Sequence, residues 1–437
     1  MKRVLLFLSM LFLLKGQAED AWTSSIVIAK SKEILGHPHV AIDESRNVIA
    51  VWEDCGLHGI YSSVFDAATH SWGLPERLSE VNGHEENIRT PSLSMDTSGN
   101  AIAIWGGKGI HAAYYDFSSK RWLPYGDLLK NDECCFPSIS FDGDGNAIAV
   151  WHNEGASAIQ VSHFDKSTMT WSESKDLAGS TSYWGFLTHE YSPRAKVTTD
   201  NFGNAIAMWI ENKGKERNIL QAAYYDRLTN MWGNTINVSD EVQIFGFDVC
   251  MSSNSNAIAA FSHLISSQVT PEVVEFNMNR LTWECPGSIG GIGSQPMVAI
   301  NASNNKALGC LWCSIGGLQF VSAIYDESIP TENWVDEDHL MISNSFVIFY
   351  DLSMDGHGNV IAAWNERNED IQIERASYYS MAAREWTQPK TLSVEPNESL
   401  GETAVSMHPC GHAAILWNGF DEAEEQHILH VAIFQTN

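Results

Sequence analysis

Apolar and polar positions in this chain alternate in short runs separated by turns bearing Asp, Asn and Gly, and no 3.6-residue period is sustained. That pattern predicts short β-strands rather than a helical repeat. One run recurs almost unchanged: GNAIAIW at 99–105, GNAIAVW at 145–151, GNAIAMW at 203–209 and GNVIAAW at 358–364. Aligned on the closing aromatic, it falls at Trp52, Trp105, Trp151, Trp209, Phe261, Trp312, Trp364 and Trp417. The spacings of 53, 46, 58, 52, 51, 52 and 53 residues leave no room for linkers. Such a period marks a repeat architecture.

Each unit has the same syntax. An alternating run (PSLSM at 91–95, PSISF at 137–141) leads into an Asp-x-x-Gly turn such as DTSG at 96–99 or DGHG at 355–358. Gly there supplies the positive φ of a tight hairpin. Unit one puts Arg46 at that position, and units five and six use Ser255 and Asn, so those turns are expected to be strained or differently shaped. The GNAIAxW run follows, then a third run such as ILQAAYYD at 219–226, and a second Trp six residues after an Asp or its substitute, as from Asp66 to Trp72. A short fourth run closes the unit.

Four strands per unit and eight units predict an all-β fold, an eight-bladed β-propeller of four-stranded antiparallel blades. The last unit stops at HVAIFQTN, residues 430–437, where its second Trp and fourth strand are due. Trp22 and SSIVIAK, residues 24–30, supply both, so the N-terminal strand is expected to complete the last blade and close the ring.

Within the motif, alternation puts Ala101, Ala103 and Trp105 on one face and Ile102 and Ile104 on the other. Both faces are apolar, as a sheet sandwiched between two others requires. Burying one Trp is worth at most roughly 4–6 kcal/mol. Periodic placement assigns these residues to blade packing, and Trp184 alone of the 16 tryptophans lies off the two repeat positions.

The ends and the charge narrow the function. Lys2 and Arg3, the apolar VLLFLSMLFLL and the small-residue KGQA read as a signal peptide over 1–18, leaving one domain over 19–437. An exported protein is expected, periplasmic, cell-surface or secreted, with no membrane span. Removing Lys2, Arg3 and Lys15 leaves 23 of the 26 basic residues against all 54 acidic ones, a net of −31. Such a surface repels phosphate backbones and argues against a nucleic-acid partner. A monomer is expected.

The turns YDRLTNMW at 225–232, FDAATHSW at 65–72 and FDKSTMTW at 164–171 resemble the Tyr-Asp-x-x-Thr-x-x-Trp part of kelch repeats, without the kelch Gly-Gly pair. The whole unit is more similar to secreted bacterial propeller proteins whose repeats read Asp-x-x-Gly-Asn-Ala-x-Ala-x-Trp, mostly of unknown role. The resemblance implies the propeller and says little of activity, because propellers host many functions.

Topology puts the Asp-x-x-Gly and Asp-to-Trp turns on one rim, nearly fixed in length. The loops after the first Trp and between units fall on the other, variable rim, where binding residues are expected. Candidates there are Glu53 and His58 in EDCGLHG, His152 in HNEG and Glu211 in IENKGKER. The insertion GSTSYWGFLTHEYSPR at 179–194 adds Tyr183, Trp184, His189, Glu190, Tyr191 and Arg194, a set suited to a glycan or peptide. The leading expectation is a non-enzymatic binder of a protein or glycan. The alternative is a glycan hydrolase or lyase using carboxylates and His at the funnel mouth. A third reading rests on Cys134 and Cys135, which resemble the vicinal disulfide of eight-bladed quinone-dependent dehydrogenases; that family's Thr-Gly doublet and calcium ligands are missing. Cys310 and Cys313 lack a second ligand pair for zinc, DGDGN at 142–146 lacks a distal Glu for calcium, and no cofactor or metal is expected. No catalytic residue can be assembled from spacing.

Overall fold

The computed structural model describes residues 22–435 apart from 80–88, 180–194, 215–216, 266–267, 286–292, 315–316, 327, 329–334, 340–345, 369 and 397–400. The fold is an all-β, eight-bladed propeller of four-stranded antiparallel blades. Blade 4 shows the plan: Ala195–Thr199, Ala205–Gly214, Arg217–Asp226 and Met231–Trp232 pair in chain order from the axis outward. Blades 2 and 3 are hydrogen-bonded into one sheet, because the strand Arg121–Phe141 ends the first and begins the second. No helix of the described residues is long and apolar enough to cross a membrane. The leader at 1–18 lies outside the described residues.

The ring closes as expected. Ile26–Ser31 pairs antiparallel with Gln426–Phe434 as the outer strand of blade 8. Trp22 bridges Phe434, with ring centroids 4.8 Å apart.

The two-faced motif explains the packing. Ala101, Ala103 and Trp105 of blade 2 cluster with Ile49 and Val51 of blade 1, while Ile102 and Ile104 cluster with Ala147, Ala149 and Trp151 of blade 3. The same contact recurs around the ring, up to Val48, Ala50 and Trp52 of blade 1 against Ala414 and Leu416 of blade 8. Small alanines let neighbouring sheets approach, and the indole fills the gap where they diverge. Trp151, Trp209, Trp364 and Trp417 are fully buried. The outer tryptophans cover the edge and are mostly half-buried.

Blade 6 departs from the expected alignment. Counting from its turn Asn301–Asn305, the position of the repeat Trp is taken by Cys310, paired with Val321, and Trp312 falls two residues farther along the strand. Tyr350 of blade 7 packs against Phe320 there and donates its hydroxyl to the Gly309 carbonyl at 3.0 Å. The spacing misled because Trp312 lies so near the expected interval.

The Asp and Asn of the repeat do one job together. In blade 2, Asp96 Oδ1 accepts the Ser98 and Asn100 N–H groups, and Asp96 Oδ2 accepts Asn100 Nδ2 at 2.8 Å. Asn100 Oδ1 then accepts the Phe117 N–H at 3.1 Å, tying the first hairpin turn to the second on the same rim. Blades 1, 3, 4 and 7 repeat this staple. The turns at Arg46, Ser255 and Asn304 are not shaped differently: their φ angles of 71°, 75° and 63° lie beside 83° at Gly99. Strain there is real, because a side chain at such φ costs roughly 1 kcal/mol or more. Shape survives because the staple and the sheet fix the backbone.

Candidate functional site

The second strands do not stop at the repeat Trp. Val48–Asp54 and Ala147–Asn153 carry Glu53 and His152 inside the sheet, and Ala205–Gly214 carries Glu211. These residues, expected in loops, are strand residues, because the second strands keep their backbone pairing with the third strands beyond the Trp. Glu53 is 9% exposed and His152 3%. Glu211 is paired with Lys213 at 2.7 Å. His58 sits at an exposed hairpin tip with φ of 45°, its carbonyl accepting Arg77 Nη2 at 3.0 Å. The four belong to three different blades and are not brought together. Tyr183, Trp184, His189, Glu190, Tyr191 and Arg194 lie outside the described residues.

A different constellation appears at the variable-rim end of the first strands. His37, Thr90, Phe136 and Gln295 each precede a proline and hold φ of 50°, 48°, 51° and 50°. The residue before proline is normally extended, so each of these conformations is strained. In blades 1, 2 and 6 the strand registers shift at this point. Carboxylates of the preceding blade hold two of these bulges. Glu402 Oε2 accepts the His37 N–H at 2.7 Å, and Glu53 Oε2 accepts the Thr90 N–H at 3.3 Å.

The His37 ring lies between these carboxylates, Nε2 at 3.8 Å from Glu53 and Nδ1 at 3.9 Å from Glu402. Its side chain is 28% exposed, against 11% and 6% for the two glutamates. Asn418 Nδ2 adds a bond to Glu402 at 3.2 Å. Cys55 Sγ lies 3.6 Å from Glu53 Oε1, and burial with the nearby carboxylates pushes its thiol up to about 12. This mouth is an imidazole open to solvent, backed by two fixed acceptors. Sequence reading missed His37 and Glu402. The recurrent X-Pro at one repeat position was the available signal.

A buried polar network adjoins it in blades 7 and 8. Residues following the repeat Trp face Ile60, Ile159, Leu220, Phe320 and Leu429 in five blades; in blade 7, Asn365 faces Glu374 instead. Glu374 is wholly buried, and burial pushes its carboxyl up to about 8, opposed by the nearby Thr403 and Asn365 side chains and reinforced by Glu395 and Glu366. Glu366 pairs with Arg375 at 2.9 Å and accepts the Trp364 indole N–H at 2.9 Å. Glu395 lies 3.2 Å from His430, which stacks on Trp417. In blades 3 and 4 the indoles donate to glutamines: Trp151 to Gln160, which donates to the Asp176 carboxylate, and Trp209 to Gln221 and on to Asn237, whereas the buried Trp105 Nε1 has no partner among the described residues. A buried indole N–H usually has such a partner.

The channel is lined by first-strand residues that answer the open edge of the next blade. Ser138 accepts the Val197 N–H, Asp248 the Val298 N–H and Asp351 the Val405 N–H, at 3.1, 2.9 and 2.7 Å. Lys196 bonds Asp248; burial works against its charge, yet that carboxylate holds its pKa above the usual lysine value. Burial, with His37 and Lys196 nearby, lowers His39 to about 4. Burial pushes Asp351 up to about 7 despite two backbone N–H donors. These groups protect strand edges. On the fixed rim, a cleft of about 930 Å³ between blades 6 and 7 is lined by turn-forming residues such as Asn305 and Asn359, with Arg384 paired to Asp326 at 2.8 Å.

Among the described residues no three His, Cys, Asp or Glu are placed to hold a metal ion. Cys134 is a free, buried thiol, which gives the dehydrogenase resemblance no support.

No family model and no curated protein matches the chain. Among solved structures, the chain is similar to the Dos1 propeller, with a TM-score of 0.54 and 9% identity over 94% of each chain. That likeness shows the propeller fold alone. An ulvan lyase bound to its sugar aligns at a TM-score of 0.49 with 9% identity, over 93% of this chain and 95% of that one. A protein of unknown function from Dyadobacter fermentans aligns at 0.44 with 10% identity, over 95% and 100%. Neither is close enough to carry an argument about activity.

Proposed function

We propose that this protein is an exported, non-enzymatic, monomeric binder that takes its ligand at the variable rim, on the funnel mouth around His37. A glycan is the favoured ligand class, and a protein segment the other. The observation that carries this reading is the environment of His37. One partly exposed imidazole stands between acceptors that are already fixed by backbone N–H donors, a rigid hydrogen-bonding surface suited to hydroxyl groups. A glycosidase needs two carboxyls with separated roles that both reach the substrate; here Glu53 and Glu402 are nearly enclosed and Glu374 wholly so. Trp184 is proposed as a further ligand contact. A glycan array with wild type, His37→Ala and Trp184→Ala tests this: both variants should bind more weakly, and equal binding by all three would exclude the reading. The leader-like segment 1–18 supports export; cleavage after Ala18 in the mature protein would establish it.

The proximity of His37 to two carboxylates also favours a second reading, a polysaccharide hydrolase or lyase. Release of new chain ends from a polysaccharide panel, abolished in His37→Ala, would establish that reading and displace the first.

A further inference from the structure

Seven of the eight fixed-rim turns place Asp, Ser or Asn at the first position, and all seven place Asn at the fifth. Blade 8 writes His408-Pro409-Cys410-Gly411-His412, with histidine at both positions. Its backbone is unchanged. His408 N–H donates to the His412 carbonyl and Gly411 N–H to the His408 carbonyl, each at 2.8 Å, and Gly411 has φ of 99°. The chemistry differs. His408 Nδ1 accepts the Cys410 N–H at 3.2 Å, as Asp96 Oδ1 accepts the Ser98 N–H at 2.8 Å. The same Nδ1 lies 3.0 Å from Cys410 Sγ. Accepting a backbone N–H puts the ring proton on Nε2 and leaves Nδ1 as an acceptor whose one lone pair is shared between that N–H and the thiol; taking the thiol proton means giving up the N–H bond. Burial lowers the pKa of His408, opposed by Glu44 and Asp43 of blade 1; the ring is therefore neutral at pH 7 but a weaker base than a free imidazole, and its 3.0 Å contact with the thiol is what favours proton transfer. His412, lowered by burial and by Arg46 and His408, has a buried Nδ1 with no hydrogen-bond partner.

The other described thiols lack this arrangement. Cys134 and Cys310 are buried. Burial pushes Cys55 and Cys134 up to about 12. Cys285 is exposed and has a carboxylate neighbour, Glu272. Cys410 is exposed, with an imidazole nitrogen 3.0 Å from its sulfur. Thiolate formation at an accessible site is what makes a cysteine reactive.

We propose that Cys410 is a reactive thiol, with His408 as its base, that exchanges with small-molecule disulfides. In the step, Nδ1 of His408 takes the thiol proton and the sulfur attacks one sulfur of the disulfide RS–SR. The Cys410–SR bond forms as the RS–SR bond breaks, and the leaving thiolate takes its proton from His408. Cys410 is oxidised to a mixed disulfide and one RS half is reduced to the thiol. This site lies on the rim opposite the proposed glycan surface and does not depend on it.

The test uses the full chain with oxidised glutathione at pH 7, following each cysteine peptide by mass spectrometry. Cys410 should form its mixed disulfide about tenfold faster than Cys285 in the same molecule, a modest rate for a positioned base. His408→Asn keeps a turn acceptor that blade 6 already uses at Asn301, so the fold is retained and only the base is lost. That variant should slow Cys410 about tenfold and leave Cys285 unchanged. Cys410 reacting no faster than Cys285, or reacting equally fast in wild type and in His408→Asn, would overturn the proposal.

Discussion

Replacing Glu374 by Gln isolates what a wholly buried carboxylate does to this ring. Glu374 stands where five other blades carry an aliphatic or aromatic side chain, and its pKa rises from 4.5 to about 8 on folding. A carboxyl with a raised folded value binds its proton more tightly in the folded protein. Its contribution is therefore complete below pH 4.5 and is lost as pH rises toward 8. Over the part of that window below pH 7 the loss amounts to about 3 kcal/mol. Gln keeps the shape but does not titrate. Urea denaturation of both proteins at pH 5, 6, 7 and 8 should give nearly equal stabilities at pH 5 and a growing advantage for Glu374→Gln above it. His39 and His163, each lowered by burial to about 4, destabilise both proteins alike as pH falls below 6.5 and cancel in the difference. A difference that stays constant from pH 5 to 8 would refute the buried-carboxylate reasoning.

Three further outcomes follow from the framework. Asn100→Ala removes the bond to Asp96 and the tie to Phe117, and should cost about 1–3 kcal/mol by chemical denaturation. Deleting residues 22–30 exposes the edge of Gln426–Phe434, and should lower the melting temperature and promote association detectable by light scattering. Arg46→Gly relieves a side chain held at φ of 71°, and should stabilise by about 0.5–1 kcal/mol in the same assay.

The architecture was legible because packing repeats. Ala101, Ile102, Ala103 and Ile104 announce two apolar faces, and only a sheet between two sheets uses both. Trp22 and the truncated last unit announced closure for the same reason. Blade 6 was misaligned because a Trp two residues out of register mimics the spacing, whereas the turn at Asn301–Asn305 fixes the true position. The mouth was harder to read. His37 and Glu402 are 365 residues apart, and only ring closure brings blade 8 against blade 1. Glu53 was singled out as a loop residue because polarity suggested exposure, but its carboxylate is enclosed by the bulge it holds. Glu374 was missed, although it breaks the apolar pattern of the third strands, because the charged groups around it come from two blades.

The central claim is that His37 at the funnel mouth, backed by Glu53 and Glu402, is the ligand surface. A glycan-array measurement of wild type against His37→Ala, with matched melting temperatures, tests it most directly. The account predicts a defined set of bound glycans whose binding falls about tenfold in the variant, roughly the loss of one hydrogen bond. Identical binding profiles for the two proteins would contradict it.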